Sequence, residues 1–224
     1  MFFDFGDTLA STNPPYILRT AMSLRNAGID ITDREFEYKY LKADYELYLN
    51  HLEESGITPG EHMSKFFPIL YSSILPAGEI ESYRTKVRSH MSGIKFTRRA
   101  LPGAYEVLDF LKSKGYRLAV ISNNDGRTPE KCDEVGMRRY FELILDSTNL
   151  GLIKPDPRIF RHALDEMGIS AEEAVHVGDM YGADVMGAKN AGMDAVWLNY
   201  RNIDRLNDRD INEVGALSDL ISLF

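Results

Sequence analysis

Cysteine is almost absent from the sequence, since Cys132 is the only one among 224 residues. An internal disulfide and a cysteine-rich zinc site are therefore excluded. A lone thiol fits a reducing compartment, so we expect a cytoplasmic protein. Low-complexity tracts and internal repeats are also missing, which leaves a globular chain long enough to bury a sizeable core.

Long apolar runs and an excess of basic residues are missing as well. The apolar stretches are far shorter than the roughly 20 residues needed to cross a bilayer, and no export signal opens the chain. Acidic residues outnumber basic ones by 34 to 26, giving a formal charge of −8, and no lysine- and arginine-rich stripe is present. We therefore expect neither a membrane nor a nucleic acid as a partner.

From about residue 101 the sequence alternates between amphipathic segments and short apolar runs. The spacing of apolar residues predicts helices over 104–115, 128–138, 157–167 and 182–191, and strands over 117–122, 142–145, 174–177 and 195–198. Continuously apolar strands separated by helices are typical of a parallel sheet covered on both faces. The predicted fold class is α/β, with a doubly wound parallel sheet, and the tail over 211–224 has helical spacing and is expected to cover this core.

Residues 13–97 differ, because they contain four stretches at helical spacing and no convincing strand. The stretches are 15–28, 33–53, 61–75 and 79–92. We predict a small helical bundle inserted after the first strand, with a core of residues 1–12 and 98–224 and a helical domain of residues 13–97. Tyr38, Tyr45 and Tyr48 have the spacing of a helix face, so we interpret them as packing residues of this bundle.

Polar side chains stand at the carboxyl ends of four predicted strands. In a doubly wound sheet these ends lie at one edge, where ligands bind next to the point at which strand order reverses. The side chains are, in chain order, Asp4, Ser122, Lys154, and the pair Asp179 and Asp184.

This set of side chains indicates phosphate chemistry. Three carboxylates cannot share a small site unless a cation or a proton offsets their repulsion. Ligation by oxygen alone, with room for water, is what Mg²⁺ prefers. Lys154 and Ser122 would supply a positive charge and a donor for anionic oxygens. Asp4 could then accept the phosphoryl group before water does, which divides one difficult displacement into two easier ones.

With these segments in place, the sequence resembles the haloacid dehalogenase superfamily. The resemblance covers the core and rests on "DFGDTL" near the start, "VISN" at 120–123, "KPDPRIF" at 154–160 and "HVGDMYGADVMGAKNAGM" at 176–193. The ordered set is specific, whereas the first two motifs taken singly are weak signals. A helical insert after the first strand is similar to the cap that such enzymes close over their site.

The resemblance implies a role for each matching residue. It implies that Asp4 is the nucleophile, that Ser122 and Lys154 assist catalysis, and that substrate is bound by Ser122, Asn123 and Lys154. It implies Mg²⁺ as the cofactor, and a small phosphorylated metabolite as the substrate. The implied metal ligands are Asp4, the backbone carbonyl of Gly6, Asp179, and Asp184 either directly or through water.

One position departs from the pattern of the family phosphatases. These enzymes usually have a second aspartate two residues after the nucleophile, as general acid and base, whereas here that position is Gly6 and the acid follows as Asp7. Neighbours three apart in an extended segment point in different directions, so Asp7 does not simply inherit the role. We interpret Asp7 as structural, accepting hydrogen bonds from the loop or from Thr8. Weak turnover of alkyl phosphates is therefore predicted.

Several alternatives stay open. A 2-haloacid dehalogenase or a phosphonate-cleaving enzyme could use the same scaffold, as could a catalytically weak protein that only binds phosphorylated ligands. His176 is interpreted as structural, and the other four histidines show no metal-ligand spacing. The sequence leaves open whether the protein is a monomer or a homodimer, and whether Met1 is the true start.

Overall fold

A computed structural model describes residues 1–51, 57–76, 78–207 and 210–224. Six strands form one sheet in the order β5-β4-β1-β6-β7-β8. They are β1 (Phe2–Phe3), β4 (Ala119–Ser122), β5 (Leu143–Asp146), β6 (Val175–Gly178), β7 (Asp194–Leu198) and β8 (Asn212–Val214). All the pairings are parallel, which confirms the predicted fold class.

The short strand β1 lies in the middle of the sheet. Phe2 pairs with Ala119 on one side and with His176 on the other, so strand order reverses here. The backbone N–H of Asp4 still donates to the carbonyl of Val177 over 2.9 Å, one residue past the strand. Asp4 therefore stands at the switch point where doubly wound folds bind ligands.

Helices cover both faces of the sheet. They are α5 (Ala104–Ser113), α6 (Thr128–Glu134), α7 (Ser147–Leu150), α8 (Pro157–Met167), α9 (Gly187–Asn190) and α10 (Leu220–Leu223). A π-helical stretch, Tyr181–Met186, leads directly into α9. Phe2 and Phe3 are fully buried and belong to the apolar clusters on opposite faces, as alternation along a strand requires.

Four helices fill the segment between the first strand and the rest of the sheet: α1 (Tyr16–Asn26), α2 (Asp33–His51), α3 (Pro59–Ser72) and α4 (Ile80–Gly93). The predicted helix 33–53 is observed as far as His51, and its last two residues lie outside the described ones. In the part of the chain that the structure describes, no helix is long and apolar enough to cross a membrane.

A two-stranded antiparallel ribbon joins these helices to the sheet and was not predicted. It consists of β2 (Ala10–Asn13) and β3 (Thr97–Ala100), and Ala10 pairs with Ala100. Neither strand shows an alternation of apolar and polar residues, because both are short and mostly polar. The prediction that 13–97 contains no strand is therefore wrong at both ends. The predicted domain boundaries fall within this ribbon and stay a prediction.

The helical prediction for the tail is also partly wrong. The segment starts with β8, which extends the sheet beside β7, and helix appears only after Gly215. Ile211, Val214, Leu217 and Leu220 are all buried. Their spacing of three residues is typical of a helix, but Ile211 lies in the loop before β8 and Val214 lies in β8 itself.

Helix α2 packs closely on the sheet domain. Tyr45 stacks on Tyr48 with ring centroids 5.9 Å apart, and it meets the edge of Tyr181 at 5.6 Å. These tyrosines are packing residues, as expected, but they pack across onto the π-helical stretch rather than within the bundle. Tyr38 is exposed.

Candidate active site

Three carboxylates meet at the carboxyl edge of the central strands. Asp4 follows β1, Asp179 follows β6, and Asp184 lies in the π-helical stretch after it. One oxygen from each lies within 4.8 Å of the others, and all three side chains are buried. The structure thus brings together residues separated by up to 180 positions, as the argument from strand ends anticipated.

Lys154 lies between two of these acids. Its Nζ is 2.8 Å from Asp4 Oδ1 and 2.6 Å from Asp184 Oδ1, and it donates to the Ile121 carbonyl over 2.6 Å. The side chain is only 1% exposed. Burial opposes the charge, but the two carboxylates raise the pKa of Lys154, which therefore stays cationic.

The three acids differ in electrostatic state. Burial, together with Asp184 and Asp179, raises the pKa of Asp4 to about 7 against the opposing effect of Lys154. Burial likewise raises the pKa of Asp179 to about 6. For Asp184, burial is outweighed by Lys154 and by a hydrogen bond with His176, and its pKa falls to about 2.

Local backbone geometry fixes the position of Asp184. A Cβ on Gly178 would stand 2.3 Å from the Asp184 carboxyl carbon, so only glycine lets the side chain reach the end of β6. The Met180 N–H donates to Asp184 Oδ2 over 2.9 Å, and His176 Nε2 lies 3.2 Å from Oδ1. The structural interpretation of His176 did not foresee that it supports a predicted metal ligand.

Arg201, which the sequence did not single out, holds two further carboxylates. Its Nη1 donates to Asp179 Oδ2 over 2.7 Å, and its Nη2 donates to Asp7 Oδ2 over 3.2 Å. Ser11 Oγ also donates to Asp7. Thr8 donates to Asp179 Oδ1 over 3.0 Å, and among the described residues no backbone N–H group of the loop donates to the Asp7 side chain, so both expected partners of Asp7 are wrong.

The loop after β1 turns sharply. Asp7 has a φ of +57°, in the left-handed region that non-glycine residues rarely adopt. Its carboxylate is turned to Ser11 and Arg201, which agrees with the structural role expected for it. The Gly6 carbonyl accepts no hydrogen bond from the described residues, so this oxygen is free for a cation, as its predicted role requires.

Ser122 and Asn123 end strand β4 beside Lys154. Ser122 is buried and lines the same cavity as Asp4. The Asn123 side chain donates to the Lys154 carbonyl over 2.8 Å and accepts from the Lys154 N–H over 2.9 Å. The amide thus orients the lysine segment, and the predicted contact of Asn123 with substrate stays a prediction.

The residues present fit a hard divalent cation. The donors are all oxygens, and the carboxylates of Asp4, Asp7, Asp179 and Asp184 outnumber the cationic groups of Lys154 and Arg201, the second of which also pairs with Glu37 at 3.7 Å. This excess of buried negative charge favours a bound cation, and Mg²⁺ prefers oxygen ligands.

A cavity of about 1080 Å³ opens above the acids, between the sheet edge and the helices α1, α2 and α3. Its lining includes Asp4, Ser122 and Lys154 from below and Tyr40 and Asp44 of α2 from above. Burial raises the pKa of Asp44 to about 8. Its carboxyl group accepts hydrogen bonds from the backbone N–H groups of Gly182 and Ala183, which makes it an anchor between α2 and the π-helical stretch.

A protein-family model described as haloacid dehalogenase-like hydrolase matches residues 1–192. The chain belongs to this family. The resemblance inferred from the motifs is therefore confirmed, and so is its consequence that this haloacid dehalogenase-like protein is a hydrolase.

Similar proteins come from several organisms. A glyceraldehyde 3-phosphate phosphatase of Methanothermobacter thermautotrophicus is 31% identical over 207 residues, which cover 89% of this chain and 84% of the relative. Among solved structures, a HAD phosphatase from Thermococcus onnurineus superimposes with a TM-score of 0.60 at 24% identity, covering 99% of this chain and 95% of the other. A 2-haloacid dehalogenase from Pseudomonas syringae has a TM-score of 0.57 at 27% identity, covering 99% and 96%.

Proposed function

We propose that this hydrolase is a Mg²⁺-dependent phosphatase that acts on a small phosphorylated metabolite through a phosphorylated Asp4. The observation that carries the proposal is the contact of Lys154 with Asp4 and Asp184 inside the acidic cluster, because it joins a nucleophile, a cation and a metal-ligand set in one buried site. The similarity to a glyceraldehyde 3-phosphate phosphatase supports the substrate class.

Asp4 is suited to the attack on phosphorus. Lys154 holds Oδ1, whereas Oδ2 accepts no hydrogen bond from the described residues, and the side chain lines the cavity. The free oxygen would form a bond to phosphorus while the bond to the leaving oxygen breaks. Water would then attack the same phosphorus, releasing phosphate and restoring the Asp4 carboxylate.

The neighbouring side chains would stabilise the charge that moves in these steps. The Ser122 hydroxyl lies at the cavity floor, where it can donate to a phosphoryl oxygen. The Lys154 ammonium group, whose N–H groups are held by Asp4, Asp184 and the Ile121 carbonyl, would stabilise the phosphoryl group through its charge. The residues that would hold the metal are Asp4, Gly6 through its carbonyl, Asp179 and Asp184. When bound, Mg²⁺ supplies positive charge that lowers the repulsion between the phosphoryl oxygens and the carboxylates.

A dehalogenase is the main alternative, since a 2-haloacid dehalogenase shares this fold. Such an enzyme attacks carbon and needs no metal, so the buried acidic cluster favours the phosphatase. The cytoplasmic location and the oligomeric state stay predictions.

The test is a phosphate-release screen over metabolite phosphoesters and acyl phosphates, run with Mg²⁺ and with a chelator. We expect release that needs Mg²⁺ and disappears in Asp4→Asn. The matched control is Asp165→Asn, because Asp165 is an exposed aspartate on α8 away from the cavity. Turnover of haloacids that survives chelation would replace the phosphatase with a dehalogenase. Activity no greater than that of Asp4→Asn across the panel would favour a protein that only binds phosphorylated ligands.

A further inference from the structure

Arg19 is a buried cation in the upper wall of the cavity. It lies on helix α1 and is only 5% exposed. Its guanidinium carbon is 4.0 Å from the ring centroid of Phe96, and its Nη2 donates to Thr12 Oγ1 over 3.3 Å. Stacking on an aromatic face orients the planar group and leaves its N–H edge free to donate to hydrogen-bond acceptors.

The guanidinium group has few partners for a buried charge. Thr12 takes one of its five N–H donors, Nε is buried with no partner, and no carboxylate lies within ion-pair distance among the described residues. Two other cations of the cavity wall are paired, Arg98 with Glu134 at 3.1 Å and Lys131 with Asp125 at 2.6 Å, whereas Arg127 is exposed to solvent and therefore differs from the buried Arg19. An unpaired buried charge is costly, so an anion that binds here gains affinity.

Among the described residues, no nearby acidic side chain is free to pair with the Arg19 guanidinium group. Asp7 lies in the same cavity, but Arg201 and Ser11 hold its carboxylate. The cavity of about 1080 Å³ is far larger than a phosphoryl group needs. Lys154 and Ser122 serve the anion at the floor, and Arg19 lines the wall formed by α1 and the ribbon, where the rest of a substrate would lie.

We propose that Arg19 binds a second anionic group, carried by the leaving portion of the substrate. The substrate class is then a phosphate monoester whose alcohol bears a carboxylate or another phosphate, both of which match the donor geometry of a guanidinium group. This inference rests on the proposed phosphatase function and restricts the class of substrate.

The kinetic test compares substrates that differ in this second group alone. Glycerol 3-phosphate has a neutral hydroxymethyl group where 3-phosphoglycerate has a carboxylate, and glycerol 1,3-bisphosphate has a second phosphate at the same place. We expect kcat/KM of the wild-type protein to be at least tenfold higher for one of the two substrates that carry a second anionic group, and the better one identifies the group that Arg19 binds. In Arg19→Met the KM of that substrate should rise roughly 10- to 100-fold while kcat changes little.

Matched variants distinguish a role of Arg19 in substrate binding from a role of Arg19 in the fold. Arg19→Lys keeps a cation and should recover part of the preference. Arg25→Met removes a cation from the same helix outside the cavity, where Arg25 pairs with Asp33, and should leave the preference unchanged. Calorimetric titration of the unreactive Asp4→Asn protein with the same three compounds measures binding without turnover. It therefore tests Arg19 even if phosphate release fails and the proposed function falls.

Equal kcat/KM values for the three substrates in the wild-type protein, together with equal affinities in Asp4→Asn, would overturn the proposal. So would an Arg19→Met protein that loses the same factor in kcat/KM on glycerol 3-phosphate as on the preferred substrate with a second anionic group, since Arg19 would then act on the phosphoryl group or on the fold.

Discussion

Asp44 Oδ2 lies 2.5 Å from the backbone nitrogen of Gly182. Asp44 is on α2, whereas Gly182 begins the turn that carries Asp184, so this hydrogen bond links the inserted helices to the predicted metal site. A Cβ on Gly182 would stand 2.5 Å from the Asp44 carbonyl oxygen, which shows how closely the two segments approach.

Replacing Asp44 should therefore loosen both segments. In Asp44→Asn the amide oxygen can replace only one of the two carboxyl oxygens, so the N–H₂ group faces one of the backbone N–H groups of Gly182 and Ala183, and that buried donor loses an acceptor. We expect the free energy of unfolding to fall by about 1–3 kcal/mol in urea titrations. Glu46→Gln, an exposed change on the same helix, is the control and should stay within about 0.5 kcal/mol of the wild-type protein. An Asp44→Asn protein as stable as this control would show that the anchor contributes nothing.

Mg²⁺ should stabilise the folded protein through the acidic cluster. A ligand that binds only the folded state raises stability by about 2.7 kcal/mol at 100 times its Kd. Thermal unfolding should therefore show a Tm that climbs with Mg²⁺ concentration in the wild-type protein and climbs much less in Asp179→Asn. Asp194→Asn removes an exposed carboxylate and should respond as the wild-type protein does. Equal Mg²⁺ responses in Asp179→Asn and the wild-type protein would exclude Asp179 as a ligand.

Gly6→Asp should restore a general acid. An added Cβ at Gly6 meets no atom within 4 Å, so a side chain can begin here without a clash at its first carbon. General acid-base catalysis contributes roughly 10²- to 10⁴-fold, and we expect kcat on alkyl phosphates to rise at least tenfold, with little change on aryl or acyl phosphates that need no proton. Gly6→Asn has nearly the same shape but is not an acid, and it should give no gain. If both variants behave alike, proton donation at this position is not the limiting step.

His62 should make stability depend on pH. Burial and the neighbouring His51 lower the pKa of His62 from 6.5 to about 3. Because the unfolded chain binds a proton near pH 6.5 and the folded chain does not, stability is complete above pH 6.5 and falls as the pH drops towards 3. Relative to the wild-type protein, His62→Phe should gain about 2 kcal/mol between pH 7 and pH 5 in denaturant titrations. The exposed change His90→Gln should show no such gain. If the free energies of unfolding of the wild-type protein and of His62→Phe change equally with pH, the pKa of His62 is not lowered.

The sequence predicted the parts of the site that follow from strand direction. Asp4, Lys154, and the pair Asp179 and Asp184 follow three parallel strands, β1, β5 and β6, and the carboxyl ends of such strands share an edge. Their convergence therefore needs no knowledge of side-chain packing. The catalytic and metal roles themselves still rest on the resemblance and on the proposed experiments.

The residues that the sequence did not reveal act across long distances without a local pattern. Arg201 reaches Asp179 and Asp7 from the loop after β7, and Asp44 reaches Gly182 from another layer of the fold. The spacing of charged residues along the chain does not indicate such long-range contacts. The ribbon was missed for the same reason, because its short polar strands have no local pattern and are held extended by pairing with each other.

That ribbon also bears on how such a protein can diversify. Because Ala10 and Ala100 are paired, the chain leaves the sheet domain and returns to it at adjacent points, and everything between them forms a single detour. Insertions, deletions or exchanges within the detour that keep the contact of Asp44 with Gly182 would leave strand order and the acidic cluster intact. New substrate preferences could therefore evolve by exchanging one contiguous segment of the gene.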